Sequence, residues 1–205
     1  MASSKTQNDS LFGRYASQAE IRVAKLEQKM QKDKKTLSAA RRKVSPTPVS
    51  DYKFATWEGA SVTLSQLFGK RDELIVIHNM GKRCPYCTMW ADGFNGLWRH
   101  LHDRARFVVI SPDPVSVQKR FGAGRGWTFP MHSAHKTSFF RDMGFASEKG
   151  DPWPGVSVFT RNAQGKMFRT GHSYFGPGDN FCVSWDFIDM LPKGQNGWEP
   201  QYSYK

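Results

Sequence analysis

Cysteine is scarce in this sequence, with 3 in 205 residues, and that excludes a disulfide-stapled scaffold. No apolar run approaches the ~20 residues that a membrane span needs, so no membrane partner is expected. The stretch Met1 to Ser10 is polar and lacks the apolar core of a secretory signal. A soluble cytoplasmic protein is therefore the expectation. The chain has no internal repeat and no Walker loop. Gly122–Ala123–Gly124–Arg125–Gly126 has the wrong spacing for a dinucleotide fingerprint and closes a helix instead of opening one. What it does have is the material of a core: 39% hydrophobic and 14% aromatic residues, including 7 Trp and 15 Phe. That is one folded domain, or one domain with an extension.

The net charge is +12, and it is unevenly spread. Residues 1–50 hold 11 Lys and Arg against 4 Asp and Glu, so more than half of the excess lies in a quarter of the chain. Between Gly13 and Pro46 there is neither Gly nor Pro, and Val23, Leu26, Met30, Leu37 and Ala40 follow a three-four spacing interrupted by Asp33. This predicts one basic amphipathic helix within a region 1–48, with Ser10 as N-cap and Ser45–Pro46–Thr47–Pro48 as its end. An apolar stripe needs a surface to cover, and phosphate binding alone does not require one. The helix is expected to pack through Val23, Leu26 and Met30 on its own domain or on a partner subunit, which would make a homo-oligomer. Nucleic acid is not the expected partner.

The remainder, 49–205, reads as a mixed α/β domain. Strands are expected at Tyr52–Ala55, Glu73–Met80, Arg106–Ile110, Gly155–Thr160 and Lys166–Thr170, the last two joined by a turn at Asn162–Gly165. The centre of Glu73–Met80 is continuously apolar, the mark of a strand covered on both faces. Helical segments are expected at Ser61–Leu67, Cys84–Leu101, Val115–Arg120 and Ser138–Met143, with glycines 122, 124 and 126 breaking the third. Strand, helix, strand, helix and then a hairpin gives a parallel pair extended by an antiparallel ribbon.

Cys84–Pro85–Tyr86–Cys87 stands where a buried strand hands over to a helix. Unpaired N–H groups and the positive end of the helix dipole favour a thiolate at the first cysteine, and Pro85 fits the first helical position. Cys87 follows one turn later, within reach for a small disulfide ring. Lys82 and Arg83 add positive charge. The pattern predicts a lowered pKa at Cys84, which attacks, and a resolving role for Cys87. The alternative is a copper or zinc site built from Cys84 and Cys87 with His78 and His172; a structural zinc would need two further ligands, for which Cys182 is also a candidate. A third reading is a non-catalytic interaction protein. His78, Asp92, His172 and Tyr174 are accessory candidates, as proton carriers or as residues of a Thr170–Asp179 loop folding over the cysteines. Arg83 and Tyr86 flank Cys84 as candidate substrate contacts.

From Tyr52 to Phe168 the chain resembles the thioredoxin superfamily, in its peroxiredoxin-like and thiol-reductase-like branch. The resemblance rests on the apolar strand before Cys-Pro-x-Cys and on the Pro154–Gly155–Val156–Ser157–Val158–Phe159 strand with its Gly165 hairpin. Within that branch it most resembles a bacterial thioredoxin-like family of unknown function, through Trp90–Ala91–Asp92–Gly93, Gly126–Trp127–Thr128–Phe129–Pro130 and Gly176–Pro177–Gly178–Asp179. The resemblance implies a thioredoxin-like fold and a thiol–disulfide oxidoreductase that needs no cofactor. Its partner would be a disulfide-containing protein or a small-molecule thiol. It also implies a cis-proline at Pro154 facing the cysteines, with Trp153 supplying a backbone edge and an aromatic wall for the substrate. Two departures stand out. Arg83 replaces the Trp that precedes the first cysteine of a thioredoxin. The places of the peroxiredoxin signature Pro and Thr or Ser hold Ile77 and Gly81 counted from Cys84, and Met80 and Cys84 counted from Cys87.

Overall fold

The computed structural model describes residues 17–204. The chain divides into two compact units, the first ending at Val44 and the second beginning at Ser45.

The first unit contributes α1 (Gln18–Arg41). Its N-cap is Ser17; Ser10 lies outside the described residues. The Ser17 hydroxyl accepts the Glu20 N–H at 3.3 Å, and the Glu20 carboxylate accepts the Ser17 N–H at 2.9 Å. Such a capping box satisfies two otherwise orphaned donors, and the cap alone is worth about 1 kcal/mol. Lys29 and Asp33 add an ion pair at 2.5 Å along one face. Val23, Leu26 and Met30 are 54%, 57% and 58% exposed. The capping box and the Lys29–Asp33 pair support the helix locally.

The second unit is built on one sheet. Its strands are β1 (Thr47–Pro48), β2 (Lys53–Ala55), β3 (Ser61–Thr63), β4 (Glu73–His78), β5 (Arg106–Ser111), β6 (Met131–Ser133), β7 (Gly155–Arg161) and β8 (Met167–Tyr174). The helices between and after them are α2 (Leu64–Leu67), α3 (Pro85–Arg104), α4 (Val115–Gly124), α5 (Phe139–Asp142) and α6 (Val183–Asp189). Across the sheet the order is β1-β8-β7-β4-β5-β6-β2-β3. β4, β5 and β6 are parallel and are joined through α3 and α4, whereas β7 runs antiparallel to β4 and β8 antiparallel to β7. This is the mixed α/β arrangement expected, a parallel set extended by a hairpin.

Two cores sandwich the sheet, and the alternation of β4 and β5 feeds both. Leu74, Val76, Val108 and Ile110 point into a cluster with Phe54, Phe68, Phe139 and Phe145. Ile77, Phe107 and Val109 point the other way, onto Trp90, Ala91 and Phe94 of α3 and onto Trp127, Phe129 and Trp185. A run such as Leu74–Ile77 is apolar at every position because neither face meets water.

Several stretches differ from the sequence reading: Ser61–Thr63, expected to begin a helix, is strand β3, and Met131–Ser133 forms the unexpected strand β6. α4 runs on through Gly122 to Gly124. Gly122 is there for space, since a Cβ would stand 2.7 Å from the Trp57 ring and 3.2 Å from Trp127. β8 continues to Tyr174, so Thr170–Tyr174 is strand and not loop. Its polar residues reflect a half-covered edge region, where alternate side chains stay wet. Thr47–Pro48 pairs with Arg169 and Phe168, so the stretch that was to end the helix already belongs to the sheet. Two residues with a proline are too few to show a strand period.

Candidate active site

β4 ends at His78, and the chain then crosses the C-terminal edge of the parallel strands before entering α3. This edge is the switch point of the topology, because the neighbours of β4 are β5 on one side and β7 on the other. The crossing loop is held at three points. The Asn79 side chain accepts the Gly81 N–H at 2.8 Å and donates to the Cys87 carbonyl at 3.3 Å. Asp113, in the loop after β5, accepts the Lys82 N–H at 2.7 Å. Gly81 takes φ +97°, and a Cβ there would lie 2.5 Å from the Asp113 carboxylate. Only glycine fits both the backbone angle and the space.

Cys84 is the N-cap of α3, with Pro85 in the first turn. Its Sγ accepts the Cys87 N–H at 3.0 Å, and its carbonyl accepts both the N–H and the hydroxyl of Thr88 at 3.0 Å. All three cysteines are free; Cys84 is half-buried, while Cys87 and Cys182 are buried. The Cys87 thiol donating to the Cys84 sulfur, helped by the N–H groups of Cys87 and Tyr86, lowers the Cys84 pKa against the opposing effect of burial. The same hydrogen bond, then burial and the neighbouring charge, pushes Cys87 up. One sulfur is prepared as a thiolate and the other is held protonated beside it.

The C-terminal segment completes the site. Tyr86 stacks toward Trp185 at 6.1 Å between centroids. Desolvation, then the Glu199 carboxylate and Cys84, raise the Tyr86 hydroxyl. The Tyr202 hydroxyl is raised by burial and then by the charges of Cys84 and Cys87. Asn79, Asp113, Glu199 and Tyr202 were not singled out in the sequence. Asn79 alone carried a signal there, as a polar residue ending an otherwise apolar strand.

Several expected participants lie elsewhere. The His78 ring is fully buried, stacked on Phe145 at 3.9 Å between centroids, with Nε2 2.9 Å from the Ser157 hydroxyl. Ser157 pairs with His172, whose ring meets Phe145 and Tyr174, so all three side chains share the Phe139/Phe145 face of the sheet. The Tyr174 hydroxyl donates to the Gly144 carbonyl at 2.9 Å. α3, which carries Cys87, packs on the opposite face. The sheet therefore separates His78 and His172 from the cysteines and breaks up the copper or zinc ligand set. Among the described residues no three His, Cys, Asp or Glu side chains converge on a metal position. Burial also holds the His78 pKa well below its ordinary value, leaving it neutral and out of reach as a proton carrier for Cys84.

Asp92 is likewise engaged in structure. It accepts Arg125 Nε at 2.9 Å and Trp127 Nε1 at 2.8 Å. Two turns of contact thus converge on α3, because Trp90 Nε1 reaches Asp179 at 3.4 Å. The Trp-Ala-Asp-Gly, Gly-Trp-Thr-Phe-Pro and Gly-Pro-Gly-Asp motifs meet here as one clamp.

Gly155 pairs with His78, which sets Pro154 beside the base of the cysteine loop, as the expected strand order requires. The peptide bond before Pro154 is trans, however, and none of the described bonds is cis. The Pro154 carbonyl accepts the Phe175 N–H at 3.0 Å, and the Trp153 N–H donates to Phe145 at 2.8 Å. The backbone edge expected to receive a substrate is thus already paired within the fold. Trp153 itself is 44% exposed, and Arg83 is exposed beside Cys84.

Comparison with solved structures agrees with this architecture. Peroxiredoxin Q from Xanthomonas campestris is 19% identical, with a TM-score of 0.51 over 60% of this chain and 79% of that one. Reduced Prx3 from Vibrio vulnificus, in complex with hydrogen peroxide, is 13% identical, with a TM-score of 0.53 over 66% and 90%. A PrxQ mutant from Xylella fastidiosa is 16% identical, with a TM-score of 0.50 over 62% and 85%. No curated protein matches the sequence. At these identities the likeness establishes the fold, which is thioredoxin-like in its peroxiredoxin form. A family model covers residues 14–204, and with nearly the whole chain matched, the protein belongs to DUF899, a family described as bacterial proteins of unknown function.

Proposed function

We propose that the protein is a thiol–disulfide oxidoreductase in which Cys84 attacks and Cys87 resolves. The observation that carries this reading is the Cys84 sulfur at the N-cap of α3, accepting the Cys87 N–H at 3.0 Å. A thiolate there is stabilised by backbone donors, by the helix dipole and by the adjacent thiol. Attack on a disulfide joins Cys84 to one half of the substrate and releases the other half as a thiol. Once Cys84 is in a mixed disulfide, the thiolate that held Cys87 protonated is gone. The Cys87 pKa falls, and its sulfur attacks Cys84 to release the second thiol. No cofactor takes part, and a reducing cytoplasm would return the pair to its dithiol form. Peroxidase chemistry of the peroxiredoxin type is not favoured, since Ile77 and Gly81 stand where its Pro and Thr or Ser belong.

The test is a single turnover of reduced protein with a model disulfide, followed by mass spectrometry. Wild type should release two thiols and form a Cys84–Cys87 bond. Cys87→Ser should stall as a mixed disulfide on Cys84, and Cys84→Ser should do nothing. Adduct formation on Cys87 or Cys182 in the Cys84→Ser variant would reverse the assignment.

A further inference from the structure

Beside the cysteine loop lies a pocket of about 350 Å³ lined by Lys82, Val117, Arg120, Phe121, Gly124, Arg125 and Tyr202. The three cations differ in state. Arg125 is bound by Asp92 and also donates to the Tyr202 carbonyl at 2.7 Å. Its charge is matched, and it fixes the tail carrying Tyr202. Among the described residues no carboxylate pairs with the side chains of Lys82 or Arg120. Phe121 and Tyr202 meet edge to face at 6.2 Å and form an apolar wall. A small concave site with an apolar wall and two unmatched cations, one of them only two residues before Cys84 in the chain, selects for a particular ligand chemistry.

We infer that this pocket receives one arm of a low-molecular-mass disulfide bearing a carboxylate, which Lys82 and Arg120 hold while its sulfur–sulfur bond faces Cys84. The inference rests on the thiol–disulfide reading and names its substrate class. The size suits an arm of a few heavy atoms lying along Phe121 and Tyr202. Cys84 thiolate attacks the near sulfur, the bond between the two substrate sulfurs breaks, and the far half leaves as a thiolate. Cys87 gives up its proton to solvent and attacks Cys84, and the near half leaves from the pocket as the second thiolate. Two electrons pass from the dithiol to the substrate, and the protein ends as a disulfide. An excess of a dithiol reductant restores it.

The experiment uses the reduced full chain and three disulfides of similar size in single turnover. These are dithiodipropionate, a dianion; 2-hydroxyethyl disulfide, which is neutral; and cystamine, a dication. The dianion should react about tenfold faster than the neutral compound at low salt, and cystamine more slowly than either. The Lys82→Gln/Arg120→Gln variant should bring the dianion-to-neutral ratio close to one. Because the readout is a ratio, a changed thiolate fraction at Cys84 cancels. Equal rates for the three disulfides in wild type, or a ratio that survives the double substitution, would overturn the inference. The wild-type series needs no variant to fold. Reduction of the neutral disulfide without any charge preference removes only this inference. Failure to reduce any of the three, with Cys84 unlabelled, removes the underlying reading.

Discussion

The Cys87 backbone N–H lies 3.0 Å from the Cys84 sulfur, and the Cys87 thiol is the largest influence lowering the Cys84 pKa. The two influences are separable by mutation. Cys87→Ala keeps the N–H and removes the thiol donor, which is the largest influence lowering Cys84. In wild type, the iodoacetamide rate at Cys84 plotted against pH should have its midpoint below the free-thiol value of about 8.5. In Cys87→Ala the midpoint should rise toward that value without passing it, because the helix N-terminus and N–H donors remain. Identical midpoints in the two proteins would show that the backbone alone prepares the thiolate.

Gly81 and Asp113 make a second local prediction. Gly81→Ala forces a side chain into a positive φ and against the Asp113 carboxylate, so the loop must shift. Left-handed strain and the clash together should cost about 1–3 kcal/mol. Asp113→Asn keeps a carbonyl oxygen for the Lys82 N–H and should cost under about 1 kcal/mol, whereas Asp113→Ala leaves that donor unpaired. Urea unfolding should show the damage falling from Gly81→Ala to Asp113→Ala to Asp113→Asn, with Cys84 alkylation kinetics altered in Gly81→Ala. A mild Gly81→Ala would mean the loop is not held as described.

Much of this architecture could be read from the chain because strong local signals and tertiary structure agree. The apolar run Leu74–Ile77 is a central strand, and Cys84–Pro85 opens a helix, since each pattern has one economical physical solution. The readings that failed needed information held elsewhere in the chain. His78 sits six residues before Cys84 in sequence, yet strand alternation turns it to the other face of the sheet. Asp92 resembled a free helix carboxylate until Arg125 and Trp127, more than thirty residues away, were placed against it. Tyr202 could not be connected with Cys84 at all, because nothing local in the last residues encodes where they return.

His78 predicts an acid limit to stability. Burial lowers its pKa well below the ordinary 6.5, so the folded protein carries it neutral. Below pH 6.5 the unfolded chain takes up this proton and the folded one does not. Stability is therefore complete above about 6.5 and falls as the pH drops toward the folded pKa, by at most ~1.4 kcal/mol per pH unit from this residue. Replacing both partners, His78→Phe with Ser157→Ala, removes the titration without leaving a buried hydroxyl unpaired. Chemical denaturation between pH 7 and 5 should show a shallower decline in the double variant. An unchanged slope would mean that His78 is protonated in the fold.

Gly122 gives a prediction whose sign opposes the usual helix rule. Glycine inside a helix is normally about 1 kcal/mol worse than alanine, so Gly→Ala is expected to stabilise. At Gly122 the added methyl would stand 2.7 Å from the tip of the Trp57 ring and 3.2 Å from Trp127, between two large side chains. Trp57 cannot simply swing away. Its indole N–H donates to Gln118 at 3.3 Å, and Gln118 is itself buried and bound to Ser111 and to the His132 carbonyl. Overpacking of this kind costs about 1–3 kcal/mol, which outweighs the gain in propensity. Gly124, in the same helix, has nothing within 4 Å of its Cβ position. Gly124→Ala should therefore raise the melting temperature while Gly122→Ala lowers it, and only the latter should disturb tryptophan fluorescence. If both substitutions raise it, the approach of Trp57 to α4 is looser than the structure shows.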